Sequence, residues 1–174
     1  MADANILFAE HRDGVFRYLR RIVGEAEAAR DLTQEVFLRV ARTEVPEATD
    51  VECRAWVFKI ARNLALNHLR DGRRRPDTVE AVEQSTPATQ ELAVTLQQAL
   101  AGLPDLERDV FLMREMAGLS YDEIASACEL TLDAVRARLH RARMQLRAAL
   151  GGSIGQLQAR GVRIGQRDSR GSHD

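Results

Sequence analysis

The sequence predicts an all-α protein: two small helical domains joined by a flexible linker, the C-terminal domain containing a helix-turn-helix. Apolar residues recur at helical spacing along most of the 174 residues, and no segment alternates with the period of a strand. Prolines, acids and small polar residues interrupt this pattern between 76 and 90, which is typical of a linker. A hydrophobic content of 45% is sufficient for two packed cores.

Three helices are predicted before the linker. The apolar period indicates a first helix from Phe8 to Gly24 and a second from about Ala28 to Arg42. A loop then precedes a third helix over 54–70, which Asp71-Gly72 ends. We therefore expect a three-helix N-terminal domain.

The third predicted helix has one apolar side and one basic side. The apolar side consists of Val57, Ile60, Ala61, Leu64 and His68. The opposite side consists of Lys59, Arg62, Asn63, Leu66 and Arg70, and three more arginines follow at 73–75. Arginine and lysine neutralise phosphates, and an asparagine amide can pair with a base edge, so this side is a candidate nucleic-acid surface or a solvated basic face. Trp56, at the helix start, fits either the core or a stacked base.

The second predicted helix carries acceptor groups instead of cations. Asp31, Gln34, Glu35 and Leu38 form a stripe at i, i+3, i+4 and i+7 beside the buried Leu32 and Val36 side. Such a face suits a protein partner.

The C-terminal domain is predicted to end in a helix-turn-helix. One helix ends near Gly102, and Pro104-Asp105 opens another that lasts until Gly118. Ser120 and Glu123 form a capping box, so the next helix begins at Tyr121. After a short turn, Thr131 caps a second helix that begins at Leu132.

The last predicted helix has the pattern of a DNA recognition helix. Its buried stripe consists of Val135, Leu139, Ala142 and Leu146. Over 132–147 it carries five arginines against one aspartate. An exposed arginine face fits the DNA major groove, although basic surface helices are also common.

Composition excludes several other classes. The net charge of −1 hides basic segments next to acidic ones. Two distant cysteines and four histidines in unrelated contexts indicate no disulfide, metal site, cofactor or catalytic constellation. Without a leader or an apolar run of membrane length, we expect a cytoplasmic protein with no membrane insertion. Residues 151–174 show no amphipathic stripe and are expected to form a disordered tail.

Three strings resemble the extracytoplasmic function (ECF) group of the sigma-70 family of bacterial sigma factors. They are ARDLTQEVFLRV (29–40), RAWVFKIARNLALNHLR (54–70) and LPDLERDVFLMREMAGLSYDEIASACELTLDAVRARLHRAR (103–143). The resemblance implies a non-enzymatic subunit that directs core RNA polymerase to promoter DNA, with an anti-sigma factor as a possible further partner. It implies a polymerase and minus-10 domain at 1–75, an acidic linker at 76–90 and a minus-35 domain at 91–150.

The resemblance also assigns individual residues. Polymerase contacts are expected at Asp31, Gln34, Glu35 and Phe37, although Phe37 also fits the core. Contacts to the minus-10 non-template strand are expected at Lys59, Arg62, Asn63, Asn67 and Arg70. Contacts to the minus-35 duplex are expected at Arg136, Ala137, Arg138, His140, Arg141 and Arg143, with Arg138 and Arg143 on phosphates.

Two departures and one rival accompany this interpretation. The loop over 43–53 has no aromatic residue to stack on a captured base. Glu129 stands where relatives often have glycine, which is unfavourable if that position has a positive φ. The rival is a helix-turn-helix regulator that binds duplex DNA without being a polymerase subunit, but it leaves the basic 54–70 helix without a use.

Overall fold

The computed structural model describes residues 4–43, 49–72 and 87–159, with side chains described in these ranges except at 87–89 and 153–159. This part of the chain is helical and holds no strand. Its helices are α1 (Ala4–Val23), α2 (Ala26–Arg42), α3 (Asp50–Asp71), α4 (Pro87–Ala101), α5 (Asp105–Glu115), α6 (Tyr121–Cys128) and α7 (Leu132–Ala159).

Helices α1, α2 and α3 pack against one another and form the N-terminal half. Val15, Leu19, Val36 and Val40 are completely buried there, so the apolar period of α1 and α2 marks core positions as predicted. Gly24 ends α1 at a φ of 82°, a conformation that favours glycine.

Helix α3 begins at Asp50, four residues before the predicted start. The reason is a capping box: the Glu52 N–H donates to Thr49 Oγ1 at 3.3 Å, and the Thr49 N–H donates to Glu52 Oε2 at 2.8 Å. The sequence Thr-x-x-Glu at 49–52 would have predicted this start.

Local signals in the C-terminal half are confirmed. The Glu123 N–H donates to Ser120 Oγ at 3.2 Å, and the Ser120 N–H donates to Glu123 Oε2 at 2.6 Å. Thr131 Oγ1 accepts from the Ala134 N–H at 3.2 Å and caps α7. The predicted stripe on α7 is buried throughout and consists of Val135, Leu139, Ala142 and Leu146.

Two further boundaries, at α4 and α7, differ from the predictions. Helix α4 begins at Pro87, inside the predicted linker, because proline is well tolerated in a first helical turn. Helix α7 continues through Gly151 and Gly152 to Ala159, so 151–159 is helical where we expected a disordered tail. Two glycines cost a helix about 1 kcal/mol each relative to alanine, which α7 tolerates at this end. Residues 73–86 and 160–174 lie outside the described part of the chain.

The two halves are packed against each other through α3 and α6, with a smaller contact between α1 and α5. Helix α3 is consequently covered on more than one side. Phe58 and Ala65 are each 1% exposed although they lie outside the predicted apolar side, whereas His68, placed on that side, is exposed. The division of α3 into one buried side and one solvated basic side is therefore wrong in part.

Candidate nucleic-acid interface

The outer face of α7 is exposed as predicted. Arg136, Ala137, His140, Arg141 and Arg143 are all exposed, and Arg138 is half-buried. Four of the five arginines over 132–147 are held by carboxylates of their own half. Their ion pairs are Arg136 to Asp133 at 2.9 Å, Arg138 and Arg141 to Glu107 at 3.0 Å each, and Arg143 to Glu115 at 2.9 Å.

Glu107 on α5 organises two of these arginines. Its carboxylate is buried, and Oε1 accepts hydrogen bonds from both Arg138 and Arg141. Burial alone would raise the pKa of Glu107, but the two guanidinium groups outweigh it and lower the pKa below 4.5. The carboxylate therefore stays charged and holds two cations at the edge of the recognition face. Sequence analysis missed Glu107 because it lies 31 and 34 residues from its partners.

In the N-terminal half, Asn63 of α3 lines an open cavity of about 290 Å³ between α2 and α3. The other lining residues are Arg39, Arg42, Thr43, Trp56 and Ile60. Asn63 is exposed and Trp56 is half-buried, so an aromatic ring, an amide and guanidinium groups converge on one recess. Asn67 and Arg70, also predicted on this surface, are exposed but do not line the cavity.

The two remaining predicted minus-10 residues, Lys59 and Arg62, are each paired with an acid, and only Arg62 is largely covered. Lys59 Nζ is 2.6 Å from Glu129 Oε1, and Arg62 Nε is 2.8 Å from Asp109 Oδ2. The Tyr18 hydroxyl donates to Asp109 Oδ1 at 3.3 Å. Both acids belong to the C-terminal half, so the structure brings these cations to a domain interface.

Asp109 is completely buried from solvent. Burial raises the pKa of its carboxyl, although Arg62 and the Tyr18 hydroxyl oppose the rise. Burial would lower the pKa of Arg62, but Asp109 outweighs that effect and raises it. Tyr18, completely buried beside Asp109, has a pKa raised well above 10. Tyr18 is therefore a neutral phenol, and Arg62 and Asp109 form an ion pair that has lost much of its hydration.

The predicted polymerase-binding residues on α2 differ in their exposure to solvent. Asp31 and Gln34 are exposed, and Glu35 is half-exposed and accepts from Arg39 at 2.7 Å. Phe37 is 7% exposed and packs edge-on against Phe8 at 5.0 Å, so it is a core residue. Leu38, which the sequence placed on the same stripe, is 48% exposed, and two exposed apolar side chains of α1 that the sequence analysis did not assign to this face are Ile6 and Phe8.

A second cavity, of about 510 Å³, lies between α1 and α2, and Gln34 lines it. No group of histidine, cysteine, aspartate and glutamate in the described residues is arranged to hold a metal ion. Cys53 and Cys128 are buried, and neither forms a disulfide. Within the same residues, no helix has the length and apolar character needed to cross a membrane.

Comparison with known proteins matches both halves. Residues 7–75 match the family model of sigma-70 region 2, and residues 93–146 match sigma-70, region 4. The ECF RNA polymerase sigma factor SigL of Mycobacterium tuberculosis is 34% identical over 153 residues, covering 83% of this chain and 86% of SigL. SigE of Mycolicibacterium smegmatis is 36% identical over 152 residues, covering 81% of this chain but 59% of SigE.

Solved structures show the same fold. The structure of CnrH in complex with the cytosolic domain of CnrY has a TM-score of 0.67 and 24% identity, covering 86% of this chain and 88% of CnrH. The sigma factor RpoE from Bartonella quintana, in complex with the anti-sigma factor NepR, has a TM-score of 0.63 and 21% identity. The matched region covers 83% of this chain and 94% of RpoE.

Two family models and curated relatives therefore agree over both halves of the chain. A helix-turn-helix regulator accounts for the second half alone. The chain belongs to the ECF group of the sigma-70 family, whose members are non-enzymatic RNA polymerase subunits that direct promoter recognition and transcription initiation.

Proposed function

We propose that residues 1–75 bind core RNA polymerase and the unpaired minus-10 strand, that 76–90 is a linker, and that 91–150 binds the minus-35 duplex. As a polymerase subunit, the protein would act in the cytoplasm. Because RpoE of Bartonella quintana was solved with an anti-sigma factor, we include a protein of that kind among the partners.

The cavity between α2 and α3 carries the minus-10 part of the proposal. An extruded base is held by stacking on an aromatic ring and by hydrogen bonds to its edge. Trp56 supplies a ring and Asn63 an amide in the same recess, while Arg39 and Arg42 place positive charge beside it. The 43–53 loop has no aromatic residue, but Trp56 in α3 supplies an aromatic ring in this recess.

The exposed face of α7 supports the minus-35 part. Arg136 is 58% exposed at its side chain, and its ion pair with Asp133 is a surface contact that costs little to break. A guanidinium in that position can donate two hydrogen bonds to guanine, whereas Arg138 and Arg143 at the flanks suit phosphates.

Two asparagines on α3 give a matched test of the strand assignment. Asn63 and Asn67 are both exposed and lie one helical turn apart, but only Asn63 lines the cavity. We expect Asn63→Ala to reduce promoter opening by holoenzyme about fivefold or more, because one good base contact contributes about 1–3 kcal/mol. Asn67→Ala should have a smaller effect, since it removes an amide outside the recess.

Permanganate footprinting of unpaired thymines at a promoter mapped with this holoenzyme measures the opening. Pull-down with core polymerase checks that both variants still assemble. Equal opening by the two variants, or normal opening with Asn63→Ala, would show that the cavity does not read the strand.

A further inference from the structure

We propose that Glu107 of α5 is a positioning residue for base readout: it holds the Arg141 guanidinium group so that the outer end of that group faces a guanine in the minus-35 duplex. The inference rests on the proposed binding of α7 to that duplex. It adds a residue behind the recognition face that determines specificity, and it names the base that Arg141 selects.

Hydrogen bonds to a single oxygen atom orient the guanidinium group. Glu107 Oε1 accepts from Arg141 Nη2 at 3.0 Å and from Arg141 Nε at 3.3 Å, and it also accepts from Arg138 Nη1 at 3.0 Å. Nε and Nη2 form one edge of the planar guanidinium group of Arg141. Two bonds along this edge restrict the rotation of the plane, whereas one bond would leave it free to turn.

The end of Arg141 that points away from Glu107 carries the donors that guanine requires. Each of the two terminal nitrogens, Nη1 and Nη2, has an N–H directed away from Nε, and this pair matches the O6 and N7 acceptors of guanine in the major groove. The Arg141 side chain is 51% exposed, whereas the Glu107 side chain is 9% exposed. The acid therefore lies behind the arginine and leaves its outer end at the surface.

Both backbones at this contact are held by the core. Val110, three residues after Glu107 on α5, is completely buried, and so is Ala142, which follows Arg141 on α7. Helices α5 and α7 pack against each other. A contact between side chains of two packed helices holds a group more accurately than a contact on a loop does.

Arg136, the other arginine expected to read a base, is held less firmly. Its Nη1 lies 2.9 Å from Asp133 Oδ1, but the Asp133 side chain is 93% exposed and belongs to the same helix. Exposed pairs of this kind contribute little to stability. Of these two arginines, Arg141 is the one whose orientation is set before DNA binds.

A preset orientation raises the preference for guanine and not only the affinity. A free arginine loses rotamer entropy when it pairs with guanine, and Glu107 has already restricted Arg141. At another base Arg141 makes no such pair, so the preset orientation gives no advantage there. Loss of the Glu107 charge would have the opposite sign, because it would strengthen the attraction of α7 to phosphates at every sequence. Base preference and general affinity therefore separate the two effects.

Two variants of Glu107 distinguish position from charge. Glu107→Gln retains the length of the side chain and removes the charge, which weakens the bonds to Arg141. Glu107→Asp retains the charge and withdraws the carboxylate by one methylene group. Glu115→Gln is the matched control, because it removes an acid of the same helix whose partner, Arg143, suits a phosphate. Arg141→Ala tests the base readout itself.

Selection of randomised minus-35 DNA by holoenzyme measures base preference, and titration of a duplex of random sequence measures general affinity. We expect Arg141→Ala to lower the enrichment of guanine at one position about fivefold or more. Both Glu107 variants should lower it at the same position about threefold, which is the scale of immobilising one long side chain. Glu107→Gln should at the same time bind the random duplex at least as tightly as wild type. Glu115→Gln should leave the guanine enrichment at that position unchanged.

Circular dichroism confirms that each variant is folded. A loss of guanine enrichment with Arg141→Ala, but with neither Glu107 variant, would overturn the positioning role and leave the minus-35 proposal intact. An equal loss at every position with a Glu107 variant would also overturn it, because the acid would then act only on the fold. Wild-type holoenzyme without any preference in minus-35 DNA would instead overturn the proposed function.

A double variant tests whether the acid acts through the arginine. Once Arg141→Ala has removed the guanidinium group, adding Glu107→Gln should lower the guanine enrichment at that position no further. A further loss of about threefold in the double variant would contradict the proposal, because Glu107 would then act on base preference by another route.

Discussion

Helices α3 and α7 both carry arginines at helical spacing, but the basic side chains of the two helices differ in their ion-pair partners and exposure. Four arginines of α7 pair with acids of their own half and lie on an exposed face; they are Arg136, Arg138, Arg141 and Arg143. Lys59 and Arg62 of α3 pair with acids of the other half, and Arg62 is largely covered. A basic helix in a sequence therefore indicates a nucleic-acid surface without indicating whether that surface is open. The minus-35 face is accessible in this conformation, whereas of the minus-10 cations Arg70 is exposed, Lys59 is partly exposed and paired with Glu129, and Arg62 is largely covered.

The comparison is tested most strongly at Arg136. If the exposed face reads bases, Arg136→Ala should change the preferred minus-35 sequence and cost about 1–3 kcal/mol at one base pair. Arg143→Ala is the matched control, because a lost phosphate contact should weaken all sequences about equally and lower the salt slope by about one counterion. Selection of randomised minus-35 DNA by holoenzyme, followed by salt titration, measures both. An unchanged preference with Arg136→Ala would contradict the assignment.

The α2 face offers a second contrast, since it lies outside the interface between the halves. We expect Gln34→Ala with Glu35→Ala to weaken capture of core polymerase roughly tenfold, in line with the loss of a central interface pair. Neither side chain belongs to the core, so the fold should survive.

The control for this variant is Glu10→Ala with Gln98→Ala, which removes one exposed carboxylate and one exposed amide elsewhere. Pull-down with core polymerase compares the two proteins at equal concentration. Equal capture would remove Gln34 and Glu35 from the polymerase interface.

Local rules account for what the sequence predicted correctly. The capping box of Ser120 and Glu123 and the stripe from Val135 to Leu146 depend on residues within a few turns of one another, so they could be predicted from spacing alone. The cavity partners of Asn63 could not, because α2 and α3 must first pack. Arg62 and Asp109 are 47 residues apart, and no periodicity connects them. The same holds for Phe37, whose burial depends on Phe8 of another helix.

The smallest expected effect concerns Glu107, the buried acid behind the recognition face. Glu107→Gln should lower the free energy of unfolding by about 1 kcal/mol at neutral pH, because charge-assisted hydrogen bonds to Arg138 and Arg141 become weaker neutral ones. The folded pKa of this carboxyl lies below its ordinary 4.5. Its contribution to stability is therefore present above pH 4.5 and is lost as the pH falls through the lower folded pKa.

Urea unfolding at neutral pH and at a series of acidic pH values checks both statements. The difference between wild type and Glu107→Gln should be largest at neutral pH and shrink below pH 4.5, because wild-type Glu107 then becomes protonated as well. Glu115→Gln is the control within the same half, since its pair with Arg143 is exposed and should contribute at most a few tenths of a kcal/mol. If the two variants have equal stability at neutral pH, Glu107 does not anchor the recognition face, and the α7 arginines are held no more firmly than ordinary surface charges.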